Sequence, residues 1–174
     1  VVDRHGSPLV DAVVFFNFVA GDWPAPAEPV SMHQEDLTFS PHVLPIMNGS
    51  TVSFPNDDPV LHNVFTPDSI GRNFDLGTYP PGTTPLYQFD NPCSIVCDAV
   101  MLCNIHPDME AYVVVLQNPF HARTDADGRY RIADIPVGEY MIGAWHELYE
   151  VDSLVVNVEA EKALPVDFRL RNFR

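Results

Sequence analysis

The sequence predicts an all-β protein. Of its 174 residues, 17 are prolines and 9 are glycines, and these separate short apolar runs along the whole chain. The runs are rich in valine, isoleucine, phenylalanine and tyrosine, which suit the half-buried surface of a pleated sheet. No long stretch has the 3.6-residue apolar period of an amphipathic helix. Many short strands joined by Gly and Pro turns are typical of a β-sandwich or barrel.

Two segments interrupt this pattern. The stretch Asp22–Pro29 contains three prolines, which lack the amide that a central strand needs, and Gln117–Phe120 contains a turn-like Asn-Pro break. The region between them, from about residue 30 to 116, carries the metal-ligating motifs described below. The predicted strands are Ala12–Phe18, Leu37–Met47, Thr51–Asn56, Leu61–Phe65, Thr84–Phe89, Val100–Cys103, Ala111–Leu116, Tyr130–Ile132, Glu139–Trp145, Ser153–Val158 and Leu164–Leu170.

The composition limits the classes of protein to which this chain can belong. Apolar residues make up 46% of the 19.4 kDa chain, enough for a packed core, so disorder of the bulk is not expected. The formal charge of −15 argues against binding nucleic acid or an anionic membrane surface, and it suits a basic protein partner. No apolar run approaches the roughly 18 residues that cross a bilayer. The sequence starts at Val1 without an initiator Met, which indicates a mature or trimmed form, so an export signal or anchor would lie upstream.

One loop carries the strongest chemical signal. Cys103, His106 and Met109 have C-x2-H-x2-M spacing directly before a predicted strand, and His62 lies upstream at another strand end. Each residue alone is more often structural than metal-ligating, because a lone Cys or Met is usually a core residue. Together, a thiolate, two imidazoles and a thioether are the ligand set of a mononuclear blue-copper site. The sequence therefore predicts one copper ion.

The surrounding residues resemble the cupredoxins, blue-copper proteins of the amicyanin and plastocyanin type. The resemblance rests on Phe39-Ser40-Pro41, on the run from Asn48 to Asn56, and on an H-N-V around His62. It covers roughly half of the chain and implies a Greek-key sandwich or barrel. It also implies that the His106 ring edge reaches the surface as the electron port. The implied copper ligands are His62, Cys103, His106 and, axially, Met109.

Two further cysteines, Cys93 and Cys97, lie in a stretch that is longer than cupredoxins usually have. A dinuclear copper centre would need the C-x3-C pair to be followed by x3-H, but Cys97 lies six positions before Cys103. We expect a Cys93–Cys97 disulfide that closes a small insertion loop. Two unpaired thiols or a second soft-metal site are the alternatives, and a second metal site built from the remaining histidines is a weaker one.

The two ends of the chain resemble a transthyretin-like module, also called a carboxypeptidase regulatory-like domain. The motif pieces are Asp3–Val14 at the start and, after the break, Thr124–Ile132 and Ile135–Tyr140. This gives predicted limits of 1–29 and 118–174 for the module, with the cupredoxin inserted at 30–117. The Asp127-Gly128 pair is expected to form a hairpin turn, because the preceding residues do not fit a calcium loop.

The predicted function is single-electron transfer between exported, for example periplasmic, redox partners. A site filled by four protein ligands leaves no position for substrate, so we do not expect an enzyme. A basic cytochrome c or a dehydrogenase is the expected partner. The alternatives are a copper chaperone or storage protein, and a binding module in which copper is incidental.

Overall fold

A computed structural model of the protein describes residues 1–67, 73–90 and 94–173. The regular secondary structure in these ranges consists of β-strands, so the predicted all-β class is confirmed. Across the same ranges, nothing qualifies as a membrane-crossing helix. The strands are β1 (Val13–Phe16), β2 (Val30–Ser31), β3 (His33–Glu35), β4 (Thr38–Ser40), β5 (Val43–Met47), β6 (Thr51–Ser53), β7 (His62–Thr66), β8 (Phe74–Tyr79), β9 (Leu86–Gln88), β10 (Val96–Leu102), β11 (Glu110–Leu116), β12 (His121–Arg123), β13 (Gly138–His146) and β14 (Tyr149–Val158).

The chain divides into two compact units. One is continuous and spans Pro24–Leu116, and we call it the inserted unit. The other combines Val1–Trp23 with Gln117–Arg174, and we call it the split unit. The domain limits and the transthyretin-like assignment made from the sequence stay predictions.

The main sheet of the inserted unit has five strands in the order β5-β11-β10-β7-β8. Strands β10 and β11 pair antiparallel along their whole length, from Val96 opposite Leu116 to Leu102 opposite Glu110. Strand β5 runs parallel to β11 at the sheet edge, where Pro45 is tolerated because an edge strand need not donate every amide. A three-stranded sheet, β2-β6-β9, and a β3–β4 hairpin complete the unit.

The core of the inserted unit joins residues of both larger sheets. Val52 of β6, Met101 of β10 and Val113 of β11 belong to one buried cluster and have no exposed surface. Burial of such a side chain is worth roughly 1.5–3 kcal/mol, so this cluster fixes the strands from which the metal-ligating residues emerge.

The split unit is a four-stranded antiparallel sheet in the order β12-β1-β13-β14, with a buried cluster of its own. A turn forms at Asp127-Gly128, where the Gly128 amide donates to the Asp125 carbonyl at 2.9 Å, but no strand directly follows it to complete the predicted hairpin. Gly128 has a φ of +69°, a left-handed conformation that glycine adopts without steric cost.

Two predicted strands, at 130–132 and 164–170, are wrong: the structure has no strand there. Both lie near prolines, Pro136 and Pro165, which cannot donate to a ladder. Asp134 also has a left-handed φ of 59°, which breaks an extended chain. Main-chain pairing in 164–170 is limited to an isolated parallel bridge between Arg169 and Val2, and the Tyr130 hydroxyl donates to the Val166 carbonyl at 2.9 Å.

Four observed strands were not among the predicted segments: β2, β3, β8 and β12. Three of them have only two or three residues, too few for a periodic pattern to be recognised. Strand β8 is longer but contains Asp75 and Gly77, residue types that are depleted in strands.

Candidate metal centre

Three of the predicted ligands come together where strands of the main sheet end. His62 is the first residue of β7, Cys103 directly follows the last residue of β10, and His106 lies on the loop between β10 and β11. The pairing of Phe65 in β7 with Leu102 in β10 brings these strand ends close. This pairing places His62 beside Cys103 and His106, which follow it by 41 and 44 positions in the sequence.

The donor atoms of this cluster lie close enough to one another to bind a single metal ion. The Cys103 sulfur is 3.9 Å from Nδ1 of His62 and 3.9 Å from Nδ1 of His106, and the two Nδ1 atoms are 3.1 Å apart. Metal–nitrogen and metal–sulfur bonds of roughly 2.0 and 2.3 Å, as in zinc sites, allow one ion to reach all three atoms. His62 and Cys103 are buried, at 0% and 3% exposure, and His106 is half-buried.

The chemistry of these donors fits copper. Imidazole nitrogen suits Cu(II), and soft sulfur suits Cu(I). When they carry no hydrogen, the two Nδ1 atoms 3.1 Å apart and the buried sulfur 3.9 Å from each can all direct a lone pair at one shared cation. The group can therefore hold one copper ion.

The second ring nitrogen of His62 contacts a residue that the sequence reasoning missed. Nε2 of His62 lies 2.8 Å from Oδ2 of Asp58, whose side chain is 8% exposed. The backbone amides of Asp36 and Leu37 donate to the same carboxylate at 2.8 and 3.0 Å. The signal in the sequence was a carboxylate four residues before the candidate ligand.

These contacts set the charge state of Asp58. Burial raises the pKa of its carboxyl. Hydrogen bonds from the Leu37 amide, from His62 and from the Asp36 amide lower the pKa, and together they outweigh the effect of burial. The net result is a pKa below the ordinary value, so the group is a carboxylate at neutral pH.

Asn63 links the strand that carries His62 to the loop that follows Cys103. The Asn104 amide donates to Oδ1 of Asn63 at 3.2 Å. Nδ2 of Asn63 donates to Oδ1 of Asp75 at 2.6 Å and to the Gly77 carbonyl at 3.1 Å. In the sequence, Asn63 is part of the H-N-V motif around His62, and its position beside a candidate ligand is the only sign of this role.

Met109 lies at the end of the same loop. Its amide donates to the His106 carbonyl at 3.0 Å, which closes the loop into a turn before β11 begins. Its side chain is buried, at 1% exposure, in the core cluster that also contains Cys103. Axial ligation by Met109 stays a prediction.

The other predicted sites have different outcomes. Among the described residues, no second group of three His, Cys, Asp or Glu side chains is arranged to hold a metal. His33 instead lies 2.6 Å from the exposed carboxylate of Asp57. Cys93 lies outside the described residues, so its disulfide with Cys97 stays a prediction.

Comparison with known proteins finds solved structures that are similar to part of this chain. No protein-family model matches the sequence, and no curated protein matches it. A copper-containing nitrite reductase from Thermus scotoductus is 25% identical with a TM-score of 0.48, over 58% of this chain and 25% of that one. Amicyanin from Paracoccus versutus is 23% identical with a TM-score of 0.45, over 52% and 83%. A purple cupredoxin from Nitrosopumilus maritimus is 24% identical with a TM-score of 0.42, over 49% and 98%.

This chain thus spans only a quarter of the nitrite reductase chain. All three TM-scores lie below 0.5, so these likenesses assign no function to this chain.

Proposed function

We propose that the protein is a type 1 copper protein that carries single electrons between exported redox partners. The observation that carries this proposal is the convergence of His62 Nδ1, Cys103 Sγ and His106 Nδ1 within 4.8 Å of one another. We infer that these atoms are copper ligands and that the Met109 thioether is the axial fourth. With four protein ligands, no position is left for a substrate, so the proposal is a carrier and not an enzyme.

The mixed donor set suits both oxidation states of one metal. Copper, when bound, supplies one-electron exchange between Cu(II) and Cu(I). Thiolate and imidazole accept the oxidised ion, and the thiolate and a thioether stabilise the reduced one. The protein's task is therefore to keep the donors in one arrangement in both states.

The buried donors are held by the fold. His62 is fixed at its far nitrogen by Asp58, and the main chain next to Cys103 is tied to β7 through Asn63. Restraint of this kind keeps the ligands in place when the charge at the site changes, which lowers the reorganisation that electron transfer requires.

His106 is the donor closest to solvent. It is half-buried, whereas its neighbours Asn104 and Ile105 are exposed, Ile105 to 40%. His62 and Cys103 have almost no accessible surface. We infer that electrons enter and leave through the His106 ring.

The proposed partner is a basic protein, such as a cytochrome c, with a dehydrogenase as the alternative. The support for it is the chain's net charge of −15, which would steer a basic surface towards it. Association should then weaken as salt increases, because the Debye length shortens to about 8 Å at physiological ionic strength.

The proposal is tested by adding Cu(II) to the purified protein and recording visible absorption and electron paramagnetic resonance spectra. We expect an intense thiolate-to-copper absorption band and a narrow copper hyperfine splitting, both bleached by a mild reductant. Cys103→Ser should abolish the band, because an alkoxide oxygen does not supply the same charge transfer. His33→Gln is the matched control, since His33 lies outside the donor cluster, and it should leave both spectra unchanged.

Three results would contradict the proposal, each in a different way. A weak d–d spectrum that survives Cys103→Ser would show that copper is bound elsewhere. Rapid loss of copper to a chelator in both oxidation states would favour a chaperone or storage role. Partner binding that is unchanged by Cys103→Ser would favour a binding module.

A further inference from the structure

The link between His62 and Asp58 has a defined polarity. A carboxylate oxygen only accepts hydrogen bonds, so the 2.8 Å contact requires that Nε2 of His62 carries the hydrogen. In a neutral imidazole the other nitrogen then has a free lone pair. That nitrogen, Nδ1, is the atom that faces Cys103 and His106.

The carboxylate is itself fixed from the other side by the turn of the β3–β4 hairpin. Oδ1 accepts from the Asp36 amide and Oδ2 from the Leu37 amide. Both turn residues have left-handed backbones, with φ of 54° and 57°, which non-glycine residues seldom adopt. This conformation points two consecutive amides at one carboxylate.

The Asp58 backbone is held as well. Its amide donates to Oδ1 of Asn56 at 3.1 Å, and Nδ2 of Asn56 donates to the Val60 carbonyl at 2.8 Å. The loop from residue 56 to 60 therefore has its own internal bonds, and the Asp58 side chain has little freedom to leave His62.

We infer that Asp58 is a positioning residue: clamped by the β3–β4 turn, it holds His62 with the hydrogen on Nε2 and the bare Nδ1 directed at the metal site. The turn, the carboxylate and the imidazole form a chain of contacts that ends at the donor cluster. Residues 36 and 37 thereby help to preorganise a ligand on another strand. The effect on copper rests on the proposed function, whereas the effect on the His62 ring does not.

The loss of Asp58 should change both the affinity for copper and the reduction potential. Loss of the group that orients a metal-ligating histidine typically costs about 10–100-fold in metal affinity. A buried negative charge next to the ligand also stabilises Cu(II) more than Cu(I), since the oxidised ion has the higher charge. Removal of Asp58 should therefore weaken Cu(II) retention and raise the reduction potential.

The first test uses the metal-free protein. Long-range proton–nitrogen correlation spectra of protein labelled with ¹⁵N at histidine report which ring nitrogen carries the hydrogen. In the wild type we expect the hydrogen of the neutral His62 ring to lie on Nε2. Asp58→Asn keeps the shape of the side chain but offers an amide group, so we expect a mixture of tautomers or a reversal.

The second test uses the copper-loaded protein. We expect Asp58→Asn to lose Cu(II) to a chelator about 10–100-fold faster than the wild type, with a higher reduction potential. Asp58→Glu keeps the charge but lengthens the side chain, so it should retain copper better than Asp58→Asn. Asp58→Glu, compared with the wild type, also tests the positioning role if Asp58→Asn does not fold.

Asp57→Asn is the matched control, because it removes the same charge one residue away. Asp57 is 43% exposed and contacts His33, so its loss should leave the His62 tautomer and copper retention unchanged. The inference is overturned if Asp58→Asn keeps the wild-type tautomer, or if it loses copper no faster than Asp57→Asn. If the wild type lacks the thiolate band but Asp58→Asn still changes the His62 tautomer, the copper function is refuted and the positioning role is supported.

Discussion

The two units differ in where the hydrogen bonds of some of their buried polar side chains lead. In the split unit, the Thr124 hydroxyl donates to the Leu9 carbonyl at 2.7 Å and accepts from the Ala12 amide at 2.9 Å. The Asn118 side chain likewise donates to the Phe16 carbonyl at 2.8 Å. These side chains make their hydrogen bonds to the main chain and hold segments distant in the sequence together.

In the inserted unit, the polar contacts lead to a group of atoms that face one another. Asp58 accepts from the main chain and orients His62, while Asn63 ties the loop after Cys103. The Nδ1 atoms of His62 and His106 and the Cys103 sulfur then meet at 3.1–3.9 Å. A buried polar side chain that bonds the main chain serves folding. One whose metal-binding atom faces other such atoms is arranged for a ligand.

The two units can be followed by separate probes. The chain has two tryptophans, Trp23 and Trp145, and both belong to the split unit. Tryptophan fluorescence therefore reports on the split unit, and the thiolate-to-copper band would report on the inserted unit. Each prediction below assigns an effect to one probe and not to the other.

The largest expected effect is that of Gly128→Ala in the split unit. Gly128 has a φ of +69°, and an added Cβ would lie 2.3 Å from the Val1 carbonyl oxygen. Left-handed strain alone costs roughly 1–2 kcal/mol, and the backbone clash adds to it. We expect the free energy of unfolding to fall by at least about 2 kcal/mol in urea titrations followed by tryptophan fluorescence.

Gly6→Ala is the control for this substitution. Gly6 also has a left-handed φ, of +91°, but an added Cβ would have open space around it. It should cost less than Gly128→Ala, and neither variant should alter the copper spectrum. Equal losses in the two variants would show that strain alone, without the clash, accounts for the effect.

The next largest effect is expected for Asn63→Ala in the inserted unit. The substitution removes the acceptor of the Asn104 amide and both donors to the β8 region. Hydrogen-bond loss of this kind costs about 1–3 kcal/mol, and the loop that carries Cys103 and His106 should become looser. We expect faster copper loss to a chelator and an unchanged tryptophan unfolding curve.

Asn104→Ala is the matched control, because the contact with Asn63 uses the Asn104 backbone amide and not its exposed side chain. It should retain copper like the wild type. If Asn63→Ala also retains copper like the wild type, the link between β7 and the loop does not hold the site together.

The smallest effect is a pH dependence in the split unit. Burial, with a contribution from the charge of Asp167, raises the pKa of Tyr130 from 10.0 to about 12. Between these values the unfolded chain releases the proton and the folded chain keeps it, so stability falls as pH rises above 10. Tyr130→Phe should reduce the slope of stability against pH between about 9.5 and 11.5, measured by urea titration with tryptophan fluorescence.

Tyr79→Phe is the comparison variant in the inserted unit. Burial is the main cause that raises the pKa of Tyr79, also to about 12. Because Tyr79 belongs to the other unit, its removal should leave the alkaline slope reported by tryptophan unchanged. A slope altered equally by both variants would show that the two units do not unfold separately.

The sequence by itself determined the all-β class and the two donors that share one loop, whereas the approach of His62 depends on the pairing of β7 with β10. Short β-branched and aromatic runs between prolines and glycines permit little but strands, and C-x2-H places Cys103 and His106 on one loop. Spacing along the chain carries this information, because a short loop can bring its own residues together without help from distant strands.

Only the tertiary structure decided what depends on contacts across the chain. The sequence could not show that Asp58 would meet His62, that the turn at residues 36 and 37 would clamp it, or that Asn63 would bond to the amide after Cys103. It also predicted strands at 130–132 and 164–170, where no strand forms and only an isolated bridge joins Arg169 to Val2. The physical reason is the same in each case: local propensity acts over a few residues, whereas hydrogen bonds between distant segments depend on how the whole core packs.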